Sequence, residues 1–202
     1  MSVIPNMIDP EELQISSEVF NPYENVTGKK VLVSVGRMSP EKHIIDAVDV
    51  MHALKEKGYS DLLWYLIGDG IDRNLIENRM IKYGVEDCFY MVGNVVNPYP
   101  YIGNADLFIH PSWMESQGIA VLEAMALKKP CVVVKSDGTN EFSVNGYNSI
   151  LADRSIDDLS DKVEFAIKNL KNLDFRVGQE QTIKRFSPEA IMNILNQLLS
   201  EG

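Results

Sequence analysis

Glu115 and Glu123 stand eight positions apart with a lone glycine, Gly118, between them. They belong to Trp113-Met114-Glu115-Ser116-Gln117-Gly118-Ile119-Ala120-Val121-Leu122-Glu123-Ala124-Met125-Ala126. Leu107-Phe108-Ile109 just before reads as a buried strand, and His110-Pro111-Ser112 stops it. The residues after Gly118 are good helix formers whose apolar side chains repeat at helical spacing. The stretch therefore predicts strand, tight loop, helix. Glu115 then hangs over the carboxyl end of a strand and Glu123 sits on the second turn of the helix. In an open parallel sheet that edge is where ligands bind. Free N–H groups at a helix start favour an anion, most often a phosphate. Carboxylates beside a phosphate would repel it, so they suit hydrogen bonds from sugar hydroxyls.

The cations that could hold such a phosphate are Arg37 and Lys42, in Gly36-Arg37-Met38-Ser39-Pro40-Glu41-Lys42. Arginine offers a planar fork and lysine a point charge. Ser39 as N-cap and Pro40 at the first helical position put Lys42 on the first turn of a helix. Both cations could then converge on one diphosphate. The plain alternative is two solvated surface cations, one of them paired to Glu41. Other unusual turns fall on the same edge: Gly68-Asp69-Gly70, Gly93-Asn94, and Asp137-Gly138 with Glu141. The Gly-x-Gly lacks the further glycine of a dinucleotide fingerprint, and no Walker-type loop is present. His43 and His52 have no partner at metal-ligand spacing, so no metal is predicted. His110 reads as a structural histidine at a strand end. Trp113, Tyr99 and Tyr101 read as core or rim packing before base-stacking platforms.

Positioning these residues requires alternating strands and helices. Strands are predicted at 31–35, 62–67, 88–92, 107–109, 131–134 and 148–151. A helix follows Pro40 to about residue 57, with Ile44, Ile45, Val48, Met51 and Leu54 on one face. Others are predicted at 71–83, closed by Gly84, at 153–172, capped by Asp153 or Ser155, and at 174–185 and 188–200. Residues 97–104 read as a connector. The alternation predicts an α/β fold, a single Rossmann-like doubly wound parallel sheet with extra C-terminal helices. Its crossovers should be right-handed. Residues 1–28 read as a surface arm, 29–172 as the domain and 173–202 as the appended helices.

A chain of 202 residues, 45% apolar, supports one well-cored domain. A formal net charge of −10 opposes a nucleic-acid partner but not a small phosphate ligand in its own pocket. Cys88 and Cys131 are flanked by apolar residues and read as reduced core thiols. No apolar run is long enough to span a bilayer, and the start lacks a signal-peptide pattern, so the expectation is cytoplasmic.

Taken together, these residues resemble the C-terminal, donor-binding half of the retaining GT-B glycosyltransferases of family 4, glycosyl transferases group 1. Gly36-Arg37…Glu41-Lys42 is similar to that family's Gly-Arg…Glu-Lys turn, and Ile67-Gly68-Asp69-Gly70 to its Val-Gly-Asp-Gly turn. Pro111-Ser112 through Glu115 to Glu123-Ala124-Met125-Ala126 resembles its paired-glutamate signature. Asp137-Gly138-Thr139-Asn140-Glu141 and Asn145-Gly146-Tyr147-Asn148 resemble its next two blocks, and Ile4-Pro5-Asn6-Met7-Ile8-Asp9 its hinge. The resemblance implies that Gly36, Arg37 and Lys42 bind the donor diphosphate and that both cations stabilise the leaving group. Glu115 contacts the donor sugar alongside Ser116, Gln117 and Gly118. Backbone N–H groups near Gly118 and Ile119 hold phosphate, Glu123 meets the ribose, and Asn94-Val95 lie near the base. Transfer of a hexose from a nucleoside diphosphate sugar, UDP favoured over GDP, would retain configuration and use no cofactor or metal. The acceptor would be a glycan or lipid-linked glycan of the cell envelope, with peripheral membrane association of the full enzyme. A related epimerase or sucrose-type synthase, and a non-catalytic nucleotide-binding module, are the alternatives.

Some positions depart from the family pattern. Ser116-Gln117 replace Gly-Phe, which points to donor selectivity. Asp137 stands where a glycine is usual, adding negative charge near the phosphate. Lys128 and Ser149 replace glycines in structural places. The family's N-terminal, acceptor-binding half has no counterpart in the sequence. The expectation is a truncated piece, with Met1 added, that binds donor weakly and transfers nothing. Its last helix would then present part of an apolar face, Ile191, Ile194, Leu195 and Leu198.

Overall fold

A computed structural model describes residues 4–200 of the chain. Met1 and the strand-like reading of Ser2-Val3 lie outside the described residues. Six parallel strands form one sheet: β1 Lys30–Val35, β2 Leu62–Ile67, β3 Phe89–Gly93, β4 Leu107–His110, β5 Cys131–Val134 and β6 Ile150–Ala152. Their order is β3-β2-β1-β4-β5-β6. The order reverses between β1 and β4, so the crevice beyond their carboxyl ends is the topological switch point. Helices cover both faces, which is why the strands are almost continuously apolar.

Along β1, Leu32 faces a layer made by α2 (Asp46–Glu56), α3 (Arg73–Tyr83) and α7 (Ile156–Asn169). Val31 and Val33 face the other layer, made by α1 (Pro10–Ser17), α4 (Tyr99–Gly103), α5 (Ile119–Ala126) and α8 (Arg176–Lys184). One buried polar residue ties three central strands together. Ser34 Oγ donates to the Ile109 carbonyl at 2.7 Å and accepts from Trp64 Nε1 at 3.1 Å.

The structure corrects four local readings. The helix expected from Pro40 to residue 57 is two pieces. Pro40–Lys42 is a single 3-10 turn, His43 is left-handed with φ 47°, and α2 begins only at Asp46. Lys42 is therefore not on the first turn of an α-helix, and the Ser39 hydroxyl bonds Glu41 Oε1 at 2.7 Å instead of capping. The connector at 97–104 contains α4, because Pro98 and Pro100 fall at the helix start, where a missing N–H is harmless. The turn at Asp137 is a short helix, α6 (Asp137–Asn140), closed by a reciprocal Ser136–Thr139 capping box. Residues read as an arm hold α1, capped by the Asp9 carboxylate, with Ile8, Leu13 and Tyr23 buried. The last helix, α9 (Pro188–Ser200), buries Ile191 alone; Ile194, Leu195 and Leu198 are half-buried.

Gly138 shows how tightly α6 sits on the loop that carries Glu115. Its N–H donates to the Glu115 carbonyl at 3.0 Å. A Cβ there would stand 2.5 Å from the Ser116 carbonyl carbon and 2.6 Å from its oxygen. Backbone cannot swing aside as a side chain can. Gly138→Ala should therefore destabilise the chain by about 1–3 kcal/mol, read by urea unfolding. An unchanged midpoint would mean that the loop yields freely.

Candidate functional site

Of the sequence-predicted residues, Gly36, Arg37, Asn94 and Val95 line one shallow depression at the β1 and β4 ends and Glu115 and Ser116 line a second, whereas Lys42, Gln117, Gly118, Ile119 and Glu123 line neither. The first, about 390 Å³, is lined by Gly36, Arg37, Gly68, Asp69, Asn94 and Val95 among others. Gly68 belongs here for a backbone reason. A Cβ on it would lie 2.1 Å from the Gly36 carbonyl oxygen, so the turns after β1 and β2 are in direct contact. Arg37 is exposed and forms no ion pair with the described residues. The second depression, about 520 Å³, is lined by Glu41, Trp113, Met114, Glu115, Ser116, Asp137 and Arg154. The larger cavity beside β6, about 530 Å³, is lined by Phe165, Leu173 and Phe175 with Asp161 and Lys162; none of the sequence-predicted site residues lines it.

Lys42 does not stand open beside Arg37. Its Nζ donates to Glu115 Oε2 at 2.8 Å, and the two side chains are only 20% and 10% exposed. It also reaches the Met114 carbonyl at 3.4 Å. The other Glu115 oxygen lies 2.9 Å from Nε2 of His110, which is buried at the end of β4 and makes no well-aligned hydrogen bond. Burial works against ionising Glu115. The contacts from His110 and then Lys42 outweigh it and bring the carboxyl down to about 2.

Glu123 has the opposite balance. Burial raises its carboxyl, and one hydrogen bond from Tyr99, 3.0 Å from hydroxyl to Oε1, only partly offsets that. Its second oxygen remains available to a donor such as a sugar hydroxyl. Between the two carboxylates, α5 starts without a side-chain cap, on Gly118 in the left-handed region with φ 68°. The N–H groups of Ile119 and Ala120 find no acceptor among the described residues. A Cβ on Gly118 would meet Thr139 Cγ2 at 2.9 Å, so glycine is needed for conformation and for space.

Gln117 is placed differently from its reading as a sugar-side residue. Its Oε1 accepts from the Asn6 backbone at 3.1 Å and also from the Asn6 side chain, and its Nε2 is buried without a partner. Ser116 alone of the pair lines the depression. Asp137 occupies the first position of α6 with an ordinary backbone, and Lys128 takes the left-handed conformation at φ 56° that suits a glycine. Three partnerships carry no sequence signal: His110 with Glu115, Tyr99 with Glu123, and Trp113 with His43. The last two join residues on different segments, and the first folds one strand-to-helix loop back on its own strand end, which no helix or strand periodicity marks.

A doubly wound sheet with an uncapped helix start, an open arginine and hydrogen-bonding carboxylates at its switch point defines the class: an α/β domain of Rossmann-like architecture. The comparisons narrow this. Residues 16–182 match the family described as glycosyl transferases group 1, and the chain belongs to it. A poly(ribitol-phosphate) alpha-N-acetylglucosaminyltransferase of Staphylococcus aureus is 24% identical over 94% of this chain and 40% of its own length. A UDP-Gal:alpha-D-GlcNAc-diphosphoundecaprenol alpha-1,3-galactosyltransferase of Escherichia coli is 28% identical over 75% of this chain and 41% of its own. The crystal structure of HepE from Anabaena, in complex with UDP, superposes with a TM-score of 0.86 at 20% identity, covering 100% of this chain and 57% of that one. The sheet is thus one Rossmann-like half of a GT-B fold. The chain spans about 40% of the length of these curated relatives.

The Glu115 shift gives a pH prediction. The ordinary value for the carboxyl is 4.5 and the folded one about 2. Below 4.5 the unfolded chain takes up the proton first, so the stabilisation is complete above that pH and is lost as pH falls towards 2. Wild type should lose on the order of 3 kcal/mol relative to Glu115→Gln across that window, in urea melts at stepped pH. A constant difference would remove Glu115 from the account.

Proposed function

We propose that this chain is the donor-binding half of a retaining glycosyltransferase that takes a hexose from a nucleoside diphosphate sugar, with UDP preferred over GDP. The observation that carries this reading is the pairing of the open Arg37 with the uncapped start of α5 across the switch point. Both favour a diphosphate. Glu123, with one oxygen held by Tyr99, accepts from the ribose. Glu115, held ionised, accepts from the donor sugar, and Ser116 and Asp137 beside it bear on which sugar fits. Lys42 shares its ammonium between Glu115 and the phosphate as charge develops on the leaving group. Asn94 and Val95 line the depression next to Arg37 and meet the base. With two cations at the phosphate, the reading takes transfer to be metal-independent, and EDTA should leave UDP affinity unchanged.

The names of the relatives support a cell-envelope glycan or lipid-linked acceptor. The Staphylococcus aureus relative is named for poly(ribitol-phosphate) and the Escherichia coli one for a diphosphoundecaprenol acceptor. HepE was crystallised with UDP and with UDP-glucose. The chain alone is proposed to hold donor without transferring sugar, the acceptor being bound by residues beyond those it shares with its relatives. No helix among the described residues is long and apolar enough to cross a membrane.

Calorimetric titration with UDP, GDP and ADP tests the donor reading. UDP should bind most tightly, and Arg37→Glu should weaken it by more than about 1.4 kcal/mol. Equal affinity in Arg37→Glu would return Arg37 to an ordinary surface cation. Sugar transfer by the 202-residue chain alone would overturn the division of labour.

A further inference from the structure

The break in the helix after Pro40 falls at His43. With Lys128 it is one of two non-glycine residues in the left-handed region among the described residues. An L-residue there costs about 1 kcal/mol or more and persists only where its surroundings hold it. The His43 ring lies flat on Trp113, centroids 3.9 Å apart and planes within 6°. The indole Nε1 donates to Asp46 Oδ2 at 3.0 Å, and His43 Nδ1 stands 3.7 Å from the same oxygen. Asp46 is itself buried at the start of α2. The three side chains therefore close a triangle between the turn after β1 and the loop after β4. Those same two segments carry Lys42, one residue before His43, and Glu115, two residues after Trp113.

We propose that His43 is a positioning residue, its stack on Trp113 and the Asp46 anchor fixing the turn so that the Lys42 ammonium stands at Glu115 and the phosphate side of the site. Its bearing on donor binding rests on the reading above, whereas the geometry does not. The rival account is that the turn needs only a left-handed residue and the ring is incidental. Glycine separates the two, because it takes a positive φ freely while removing the ring.

On the rival account His43→Gly is silent at Glu115. On the proposal it folds, as thermal melting will show, but Lys42 loses its station. The Glu115 carboxyl, followed by carbon-13 NMR titration, then moves up from about 2 by about one unit. Lys42→Met should move it equally, and the double variant no further. Trp113→Leu should reproduce His43→Gly by removing the other half of the stack. UDP affinity in His43→Gly should fall about tenfold while uridine binding is unchanged. An unmoved Glu115 titration in both His43→Gly and Trp113→Leu overturns the proposal. A moved titration with unaltered UDP affinity overturns its phosphate side. A moved titration in a protein that binds no UDP in any form, wild type included, upholds the positioning and removes the donor reading instead.

Discussion

The ion pair between Lys42 and Glu115 joins the two loops that meet at the switch point of the sheet. One loop leaves β1 and the other leaves β4, and nothing in the backbone ladder ties their tips together. The pair lies where both side chains are mostly out of water, so each charge needs the other. Removing either leaves a poorly solvated charge on a loop tip that no backbone ladder holds. His110 supports the pair from the strand end, and the Met114 carbonyl takes a further donor from Lys42.

The surrounding packing serves that junction. Gly68 lets the turn after β2 press on Gly36, which sets the floor under Arg37. Gly138 lets α6 press on the backbone at Ser116, which sets the wall beside Glu115. Ser34, hydrogen-bonded to β2 and β4 from near the carboxyl end of β1, ties the three strand ends together beneath both loops. The start of α5 is then left with N–H groups that find no acceptor among the described residues, a local cost that a bound anion would relieve. Rigid strands thus present two loops whose charges are largely settled before a ligand arrives.

Much of this was legible in the residues. The runs at 31–35, 62–67 and 131–134 announce buried parallel strands because both faces are covered, and their spacing with helical stretches implies the doubly wound order. Gly118 between Glu115 and Glu123 marked the strand-to-helix turn correctly. The misreadings have physical causes. Pro98 and Pro100 look like breakers, yet prolines are tolerated at a helix start. The capping box at Ser136 uses Thr139 in place of the usual Glu or Gln, so its pattern does not stand out. His43 carries no mark of a left-handed residue, since the ring that stabilises it lies on Trp113, seventy positions away. Lys42 and Glu115 were each assigned to a ligand, and only the fold shows that they are first assigned to each other.

A crystal structure of the chain soaked with UDP tests the central claim most directly. The account predicts the diphosphate between the Arg37 guanidinium and the N–H groups of Ile119 and Ala120, with a ribose hydroxyl on the free Glu123 oxygen. UDP lying instead in the cavity walled by Phe165 and Leu173, or a diphosphate that contacts neither Arg37 nor the start of α5, would contradict it.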